Sequence, residues 1–356
     1  MKQTSLCNAH KELKAKMAEF SGYEMPIQYS GVKAEVQAVR NNVGVFDVSH
    51  MGEFFVEGKD AVKFVDHIIT NDFQNAGLHK AVYSPLCRED GTTIDDLIVY
   101  KLKEDKVLIC VNAANIEKDW NWISSLTSDF DLKLSNLSEN YSLLAVQGPK
   151  SQEVLQSMGF QDLESFEYYS AKEFSVHSKD YIIARTGYTG EDGFEVFADH
   201  TTILNFWDEL MKQGVTPCGL AARDVLRLEV CYPLYGHELS DQLTPLDAAL
   251  KWTVKESKDR FIGKEALINL KSKFRLIKLS IEKGVPREGY DVLNEKHEVI
   301  GKVTSGTMSV TTGKGIALAL IERQQFPENK VFKIQIRKNI VDANYHTKAF
   351  VTGGHK

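Results

Sequence analysis

Residues 91–100 read Gly91-Thr92-Thr93-Ile94-Asp95-Asp96-Leu97-Ile98-Val99-Tyr100, and this stretch decides the fold. Its apolar, β-branched residues predict a strand, with two carboxylates at its beginning and Gly91 in the tight turn before it. Because strand side chains alternate between faces, Asp96 shares a face with Tyr100, whereas Asp95 lies on the opposite face. Taken alone, an Asp-Asp pair at a strand end is also typical of a solvated turn, so the rest of the chain has to decide.

Length and composition predict a protein of two or three domains with a sizeable core. The chain has 356 residues, of which 43% are hydrophobic and 26% charged. Its formal net charge of -6 argues against general binding to nucleic acid, so any anion site depends on locally placed Arg or Lys.

The five cysteines are scattered and lack C-x-x-C spacing, which predicts free thiols in a reducing compartment and no zinc site. No apolar stretch approaches the roughly 20 residues of a membrane span, and no leader segment is recognisable. The sequence therefore predicts a cytoplasmic protein without membrane contact.

Element patterns predict an α+β region followed by a small β-domain. Residues 4–19 predict a short segment and a helix, and residues 20–26 an aromatic loop. Apolar spacing predicts a helix over 32–42 with Gly44 as its C-cap, and further helices over 60–69, 150–158, 201–212 and 218–229. Two strand–turn–helix passages indicate two related α+β units, and from residue 275 onward short strands predict a barrel or sandwich.

Asn112 ends the strand that follows residues 91–103, and the hairpin register decides where its side chain lies. With an even number of turn residues, Asn112 pairs near Leu97 and faces away from Asp96. An odd loop or a bulge brings Asn112 onto the face of Asp96, because a slip of one residue exchanges faces. Both arrangements are open at this point.

Two further stretches carry charges in unusual positions. Glu195 lies inside an apolar strand after a glycine-bracketed loop, so it needs a partner, either Arg185 or a ligand with two parallel N–H groups. Arg223 and Arg227 are four residues apart on one helix, which predicts either an anion clamp or a local network with Asp224 and Glu229. Met51 and Tyr83 are candidates for the wall of a flat-ligand pocket, although both residue types also fill cores.

Several strings in family order carry a resemblance over nearly the whole chain. They are FDVSHMGEF, ITNDF, GTTIDDLIVY, VNAANIEKDW, QGPK, RTGYTGEDGFE, GLAARDVLRLE, LYGHEL, GKEAL, VTSGTMS and GKGIALA. The chain resembles the T-proteins of the glycine cleavage system, which are tetrahydrofolate-dependent aminomethyltransferases. The resemblance implies a three-domain clover-leaf of α+β class. Two ferredoxin-like α+β units would form the folate-binding region, residues 1–274, and a small β-barrel would occupy residues 275–356.

The resemblance also implies a reaction and its residues. T-proteins transfer the aminomethyl carbon from the lipoyl arm of H-protein to tetrahydrofolate, their co-substrate, without a metal. The essential acid of the family falls on Asp96. The predicted folate-binding residues are Glu195, Arg227, Met51, Tyr83, Tyr100, Asn112, Tyr188 and Trp252. These residue types suit a pterin, because a carboxylate can accept two parallel N–H groups and aromatic planes can stack on a flat ring.

Two other functions within the same superfamily stay open from the sequence. One is the folate-dependent demethylation of a sulfur compound. The other is folate binding without catalysis, as in the iron–sulfur assembly helper, whose K-G-C-Y-x-G-Q signature is not found in this chain. The intact IDDLIVY strand favours an enzyme.

Overall fold

The structure is a computed structural model that describes residues 1–354. Within this range the α-helices are α1 (Cys7–Glu12), α2 (Val32–Asn41), α3 (Ala61–Ile68), α4 (Ile116–Ser124), α5 (Ser151–Ser157), α6 (His200–Lys212), α7 (Leu220–Glu229) and α8 (Lys264–Asn269). The strands are β1 (Lys2–Gln3), β2 (Lys16–Phe20), β3 (Tyr23–Gln28), β4 (Gly44–Asp47), β5 (Gly52–Glu57), β6 (Ala81–Cys87), β7 (Thr93–Lys103), β8 (Lys106–Val111), β9 (Lys133–Asn136), β10 (Tyr141–Gln147), β11 (Ala171–Val176), β12 (Lys179–Ala184), β13 (Gly193–Asp199), β14 (Thr216–Pro217), β15 (Phe274–Ile281), β16 (Asp291–Leu293), β17 (Val299–Met308), β18 (Gly315–Glu322), β19 (Phe332–Ile336) and β20 (Asn339–His346).

Two large sheets carry the α+β part. One has the strand order β11-β12-β13-β10-β4-β14, and the other has the order β6-β7-β8-β5-β9. A three-stranded sheet, β1-β3-β2, lies at the N-terminus, and the last six strands form a closed barrel in the order β15-β18-β17-β16-β19-β20. The predicted α+β class and the C-terminal β-barrel are confirmed. The boundary after residue 274 stays a prediction, although β15 begins at that residue.

The two large sheets share one hydrophobic core. Phe46 and Phe197 from the first sheet and Phe55 and Tyr100 from the second belong to one buried cluster. Each sheet is covered on its other face by helices, with α3 against the second sheet and α6 against the first. Strands buried on both faces read as nearly continuous apolar runs, which is why residues 91–100 and 141–147 are so rich in Leu, Ile and Val.

The N-terminal prediction was partly wrong. Residues 16–20 and 23–28 form a β-hairpin instead of a helix end and a loop. Ser21 and Gly22, both with positive φ, form its two-residue turn, a backbone geometry that matches the twist of paired strands. Pairing with β3 therefore overrides the helical spacing of this segment. Gly44 is also not a C-cap, since it begins β4 and packs under the side chain of Val39.

No helix within residues 1–354 combines the length and the apolar character needed to cross a membrane. The cysteines at positions 7, 87, 110, 218 and 231 are all free thiols, as predicted.

Candidate functional site

A single cavity of about 1240 Å³ is lined by strands of both large sheets, helix α7 and the barrel. All nine residues predicted from the sequence line it, namely Met51, Tyr83, Asp96, Tyr100, Asn112, Tyr188, Glu195, Arg227 and Trp252. The structure thus brings together side chains that lie up to 201 positions apart in the chain, from Met51 to Trp252. Their individual roles stay predictions.

Asp96 accepts hydrogen bonds from two donors, one on β6 and one directly after β8. The Tyr83 hydroxyl donates to Asp96 Oδ2 over 2.9 Å, and the Asn112 side-chain amide donates to Asp96 Oδ1 over 3.0 Å. A register shift between Lys101 and Lys103 pairs Ile98 with Cys110 and so brings Asn112 opposite Asp96. The bulge alternative for the hairpin is therefore correct, and the even-loop alternative is wrong.

The surroundings of Asp96 favour its neutral form more than water does. Burial in the cavity wall, and after it the negative charge of Asp95, raise the pKa of Asp96 to about 7. The hydrogen bonds from Tyr83 and Asn112 oppose this shift because they stabilise the carboxylate. A carboxyl group with a pKa near neutrality can both accept and release a proton under physiological conditions.

Asp95 lies behind Asp96 on the opposite face of β7, as the strand alternation predicts. It is fully buried and accepts hydrogen bonds from the Asn112 backbone N–H at 3.0 Å, the Asn112 amide at 2.8 Å and the Asn115 amide at 2.6 Å. Asn112 therefore contacts both carboxylates of the Asp-Asp pair. This arrangement couples the orientation of the buried acid to that of the acid in the cavity.

Glu195 lies on β13 at the part of the cavity formed by the first sheet. Its Oε2 accepts hydrogen bonds from the hydroxyls of Tyr100, at 3.2 Å, and of Thr186. Arg185 instead forms a buried pair with Asp192, with Nη2 and Oδ2 separated by 2.6 Å. The prediction that Arg185 pairs with Glu195 is therefore wrong. The other predicted partner, a ligand with two parallel N–H groups, stays a prediction.

The two arginines of α7 have different surroundings. Arg227 is buried and donates to Asp224, Glu238, Ser305 and the carbonyl of Tyr232. The network alternative is thus correct for Arg227 with respect to Asp224 and wrong with respect to Glu229, which pairs with Arg40 instead. Glu238 is a partner of Arg227 that the sequence did not indicate.

Arg223 faces the cavity and stacks its guanidinium over the Tyr188 ring at 4.8 Å from the ring centroid. Its Nη1 is buried without a hydrogen-bond acceptor among the described residues. Burial lowers the pKa of Arg223, and the negative charge of Glu195 opposes this shift. The cavity therefore contains a guanidinium that lacks a hydrogen-bonded anion.

Aromatic rings form two walls of the cavity. Tyr83 and Trp252 stack at 6.0 Å with an interplanar angle of 24°, and Trp252 keeps 58% of its surface exposed. Tyr188 and Tyr232 stack at 5.8 Å with an angle of 30°. Such faces can receive a planar heterocycle and contribute roughly 0.5–1.5 kcal/mol per ring pair beyond the area they bury.

Sequence reasoning missed part of the site. It did not separate Arg223 from Arg227, and it left out Asn115 and Asp119, which lie behind Asp95. A signal for the latter two was present, because Asn115 and Asp119 are four residues apart at the start of a helix and so face the same side of it.

Comparisons with known proteins agree with this geometry. Residues 6–258 match the family model described as GCVT N-terminal domain, and residues 275–351 match the glycine cleavage T-protein C-terminal barrel domain. The chain belongs to the glycine cleavage T-protein family.

Relatives of the T-protein family span the whole chain. The chain is 46% identical to the aminomethyltransferase of Thermosipho melanesiensis, covering 100% of this chain and 99% of that protein. It is 48% identical to the aminomethyltransferase of Thermotoga maritima, covering 91% and 90%. The crystal structure of glycine cleavage system aminomethyltransferase T from Bartonella henselae superposes with a TM-score of 0.93 at 29% identity, covering 99% of both chains. The predicted assignment to the aminomethyltransferases is confirmed, and these comparisons do not favour the demethylase or the non-catalytic alternative.

Proposed function

We propose that the chain transfers the aminomethyl carbon carried on the lipoyl arm of the glycine cleavage H-protein to tetrahydrofolate. The carbon loses its bonds to the lipoyl sulfur and to its amino nitrogen, and it forms bonds to two folate nitrogens. The two hydrogens displaced from those nitrogens pass to the departing ammonia and to the lipoyl thiol. The products are methylene-tetrahydrofolate, ammonia and dihydrolipoyl H-protein.

The observation that carries this proposal is the position of Asp96 and Glu195 in one cavity. Glu195 has one oxygen bound by two hydroxyls, and its carboxylate can accept the adjacent N–H and amino group of a pterin. Arg223 lines the same cavity, and its Nη1 has no hydrogen-bond partner among residues 1–354. The donor set therefore fits a flat heterocycle that has donors and acceptors along its edge.

The size of the cavity fits two substrates. A volume of about 1240 Å³ exceeds the roughly 300–1,000 Å³ that is usual for the site of one drug-sized ligand. Tetrahydrofolate and the end of a lipoyl arm could occupy it together. We assign the exposed face of Trp252, which lies beside Tyr83 and hence near Asp96, to the entrance used by the arm.

Asp96 is the catalytic group in this proposal. Its carboxylate accepts a hydrogen bond from a folate amine, holds that nitrogen toward the incoming carbon and offsets the positive charge that develops as ammonia leaves. Tyr83 and Asn112 fix the carboxylate through its two oxygens. Because its pKa is about 7, the same group can take the proton that the attacking nitrogen loses.

Arg223, rather than Arg227, is the cation that we assign to the folate. The sequence predicted Arg227 as the folate-binding arginine, but its guanidinium already forms ion pairs with Asp224 and Glu238. Arg223 belongs to the same helix, lies one turn earlier and has a buried nitrogen without an acceptor in the part of the chain that the structure describes. Arg227 is then a positioning residue that joins α7 to the barrel through Ser305.

The test is to mix the purified protein with aminomethyl-loaded H-protein and to measure ammonia with and without tetrahydrofolate. Ammonia released in step with methylene-tetrahydrofolate supports the proposal. Turnover of a methyl-thioether substrate instead would indicate the demethylase, and folate binding without any turnover would indicate the non-catalytic protein. The cytoplasmic location stays a prediction.

A further inference from the structure

Two buried carboxyl groups, those of Asp95 and Asp119, lie behind the catalytic acid Asp96. Asp119 lies on α4, is fully buried, and neither of its oxygens receives a hydrogen bond from an amide, hydroxyl or cationic donor among the described residues. The Asp119 carboxyl group lies within hydrogen-bonding distance of the Asp95 carboxyl group. Two carboxyl groups in such contact hold one proton between them, because two negative charges side by side in an apolar layer repel each other strongly.

The proton of this pair belongs to Asp119. Asp95 accepts three hydrogen bonds from Asn112 and Asn115, which stabilise its charged form, whereas no amide within residues 1–354 donates to Asp119. Burial, and after it the charge of Asp95, raise the pKa of Asp119 to about 11. Asp119 is therefore a neutral carboxylic acid that can donate to the Asp95 carboxylate.

We propose that Asp119 is a positioning residue for Asp96, acting through Asp95 and Asn112. The Asp119 O–H donates to Asp95, which keeps Asp95 a carboxylate that accepts from the Asn112 amide. Asn112 Nδ2 is then held 2.8 Å from Asp95 Oδ1 and 3.0 Å from Asp96 Oδ1. The inference rests on the function proposed above, in which Asp96 acts on the reacting nitrogen.

Other titratable groups facing these three acids do not compete for the proton. They are Tyr83 on β6, Cys110 on β8, Lys118 on α4, and Tyr188 and Tyr235 from loops across the cavity. Burial raises the pKa of the phenols and of the thiol, so these groups stay neutral at physiological pH. The positive charge of Lys118 lowers the pKa of Asp119, but this effect is smaller than the increase caused by burial and by Asp95.

Two variants of similar shape separate positioning from packing. Asp119→Leu removes the donor, so Asp95 and Asp96 become harder to ionise together. We expect kcat to fall by about 10-fold, the size of one hydrogen bond to a charged group, and the acid limb of the kcat/KM profile to move to higher pH. Asp119→Asn keeps a neutral donor, so its kcat and the pH of the acid limb of its kcat/KM profile should be close to those of wild type. KM for tetrahydrofolate should stay constant, since Asp119 does not line the cavity.

A loss of kcat in Asp119→Leu without a shift of the limb, or an Asp119→Asn variant as impaired as Asp119→Leu, would overturn the proposal. Infrared difference spectroscopy of wild type against Asp119→Asn at about pH 8 gives a readout that does not need turnover or a folded Leu variant. We expect the carbonyl stretch of one un-ionised carboxyl group in wild type that is absent from the variant. A difference spectrum without that band means that Asp119 is ionised and overturns the inference, while leaving the proposed function intact.

Discussion

Tyr100 donates its hydroxyl to Glu195 Oε2 over 3.2 Å and so connects the strand of Asp96 to the strand of Glu195. The two strands belong to different sheets, β7 to the five-stranded sheet and β13 to the six-stranded sheet. Because Tyr100 and Asp96 lie on the same face of β7, this hydrogen bond holds the carboxylates of Asp96 and Glu195 at one cavity. The cavity is therefore a product of how the two sheets pack, and neither sheet forms it alone.

Asp96→Asn should retain tetrahydrofolate binding and lower kcat by about 10²-fold or more. The amide keeps the shape of the carboxyl group but cannot take a proton or offset positive charge. Steady-state ammonia release, with folate affinity measured separately by titration, checks this expectation. Turnover close to that of wild type would remove Asp96 from the mechanism.

The raised pKa of Asp96 predicts the pH dependence of activity. If the carboxylate is the active form, kcat/KM should rise with pH and reach a plateau above an acid limb near pH 7, the value to which burial and Asp95 raise this pKa. The pH profile of the wild type with saturating H-protein measures the limb. The residual activity of Asp96→Asn should show no acid limb. An acid limb of the wild type near about pH 4, the ordinary pKa of an aspartate, would contradict the assignment of this limb to Asp96.

Arg223→Gln and Arg227→Gln should affect different properties. Arg223 lines the cavity with a nitrogen that has no partner among the described residues, so its replacement should weaken folate binding by about 10-fold or more with little change in unfolding temperature. Arg227 neutralises Glu238, which is fully buried, so its replacement should destabilise the fold by about 3–5 kcal/mol. Thermal unfolding and folate titration on both variants distinguish these effects, and the reverse pattern would restore Arg227 as the folate ligand.

Asp119→Asn should change how stability depends on pH. The pKa of Asp119 is raised on folding to about 11, so its contribution to stability is complete below the unfolded value of about 4 and is lost progressively as pH rises toward 11. Across neutral pH this amounts to about 1.4 kcal/mol of unfolding free energy per pH unit, a slope that the variant should lack. Urea unfolding of both proteins at several pH values checks this, and equal slopes would mean that Asp119 is ionised.

Local rules predicted the part of the site that depends on a single strand. The alternation of side chains along residues 91–100 is enough to put Asp96 and Tyr100 on one face and Asp95 on the other. The position of Asn112 could not be derived in this way, because a bulge at residues 101–103 decides it and bulges have no local sequence signature here. The resemblance to known T-proteins supplied the remaining lining residues.

Partners in tertiary contacts were outside the reach of sequence patterns. The spacing in the sequence allows Glu195 to pair either with Arg185 or with a ligand. In the structure the Arg185 guanidinium donates to Asp192 instead. Arg223 and Arg227 look alike on a helical wheel, and only the position of Glu238 and of the barrel separates them. The helical spacing before residue 20 was also overridden, since pairing with β3 satisfies the backbone of residues 16–20.

Titration of tetrahydrofolate into wild type, Asp96→Asn and Glu195→Gln tests most directly whether one cavity holds the folate between these two carboxylates. Glu195→Gln leaves the size of the site unchanged but replaces an acceptor of two N–H groups by an amide. We expect wild-type affinity in Asp96→Asn and an affinity weaker by about 10-fold or more in Glu195→Gln, the effect of losing a hydrogen bond to a charged group. Unchanged affinity in Glu195→Gln would contradict the account.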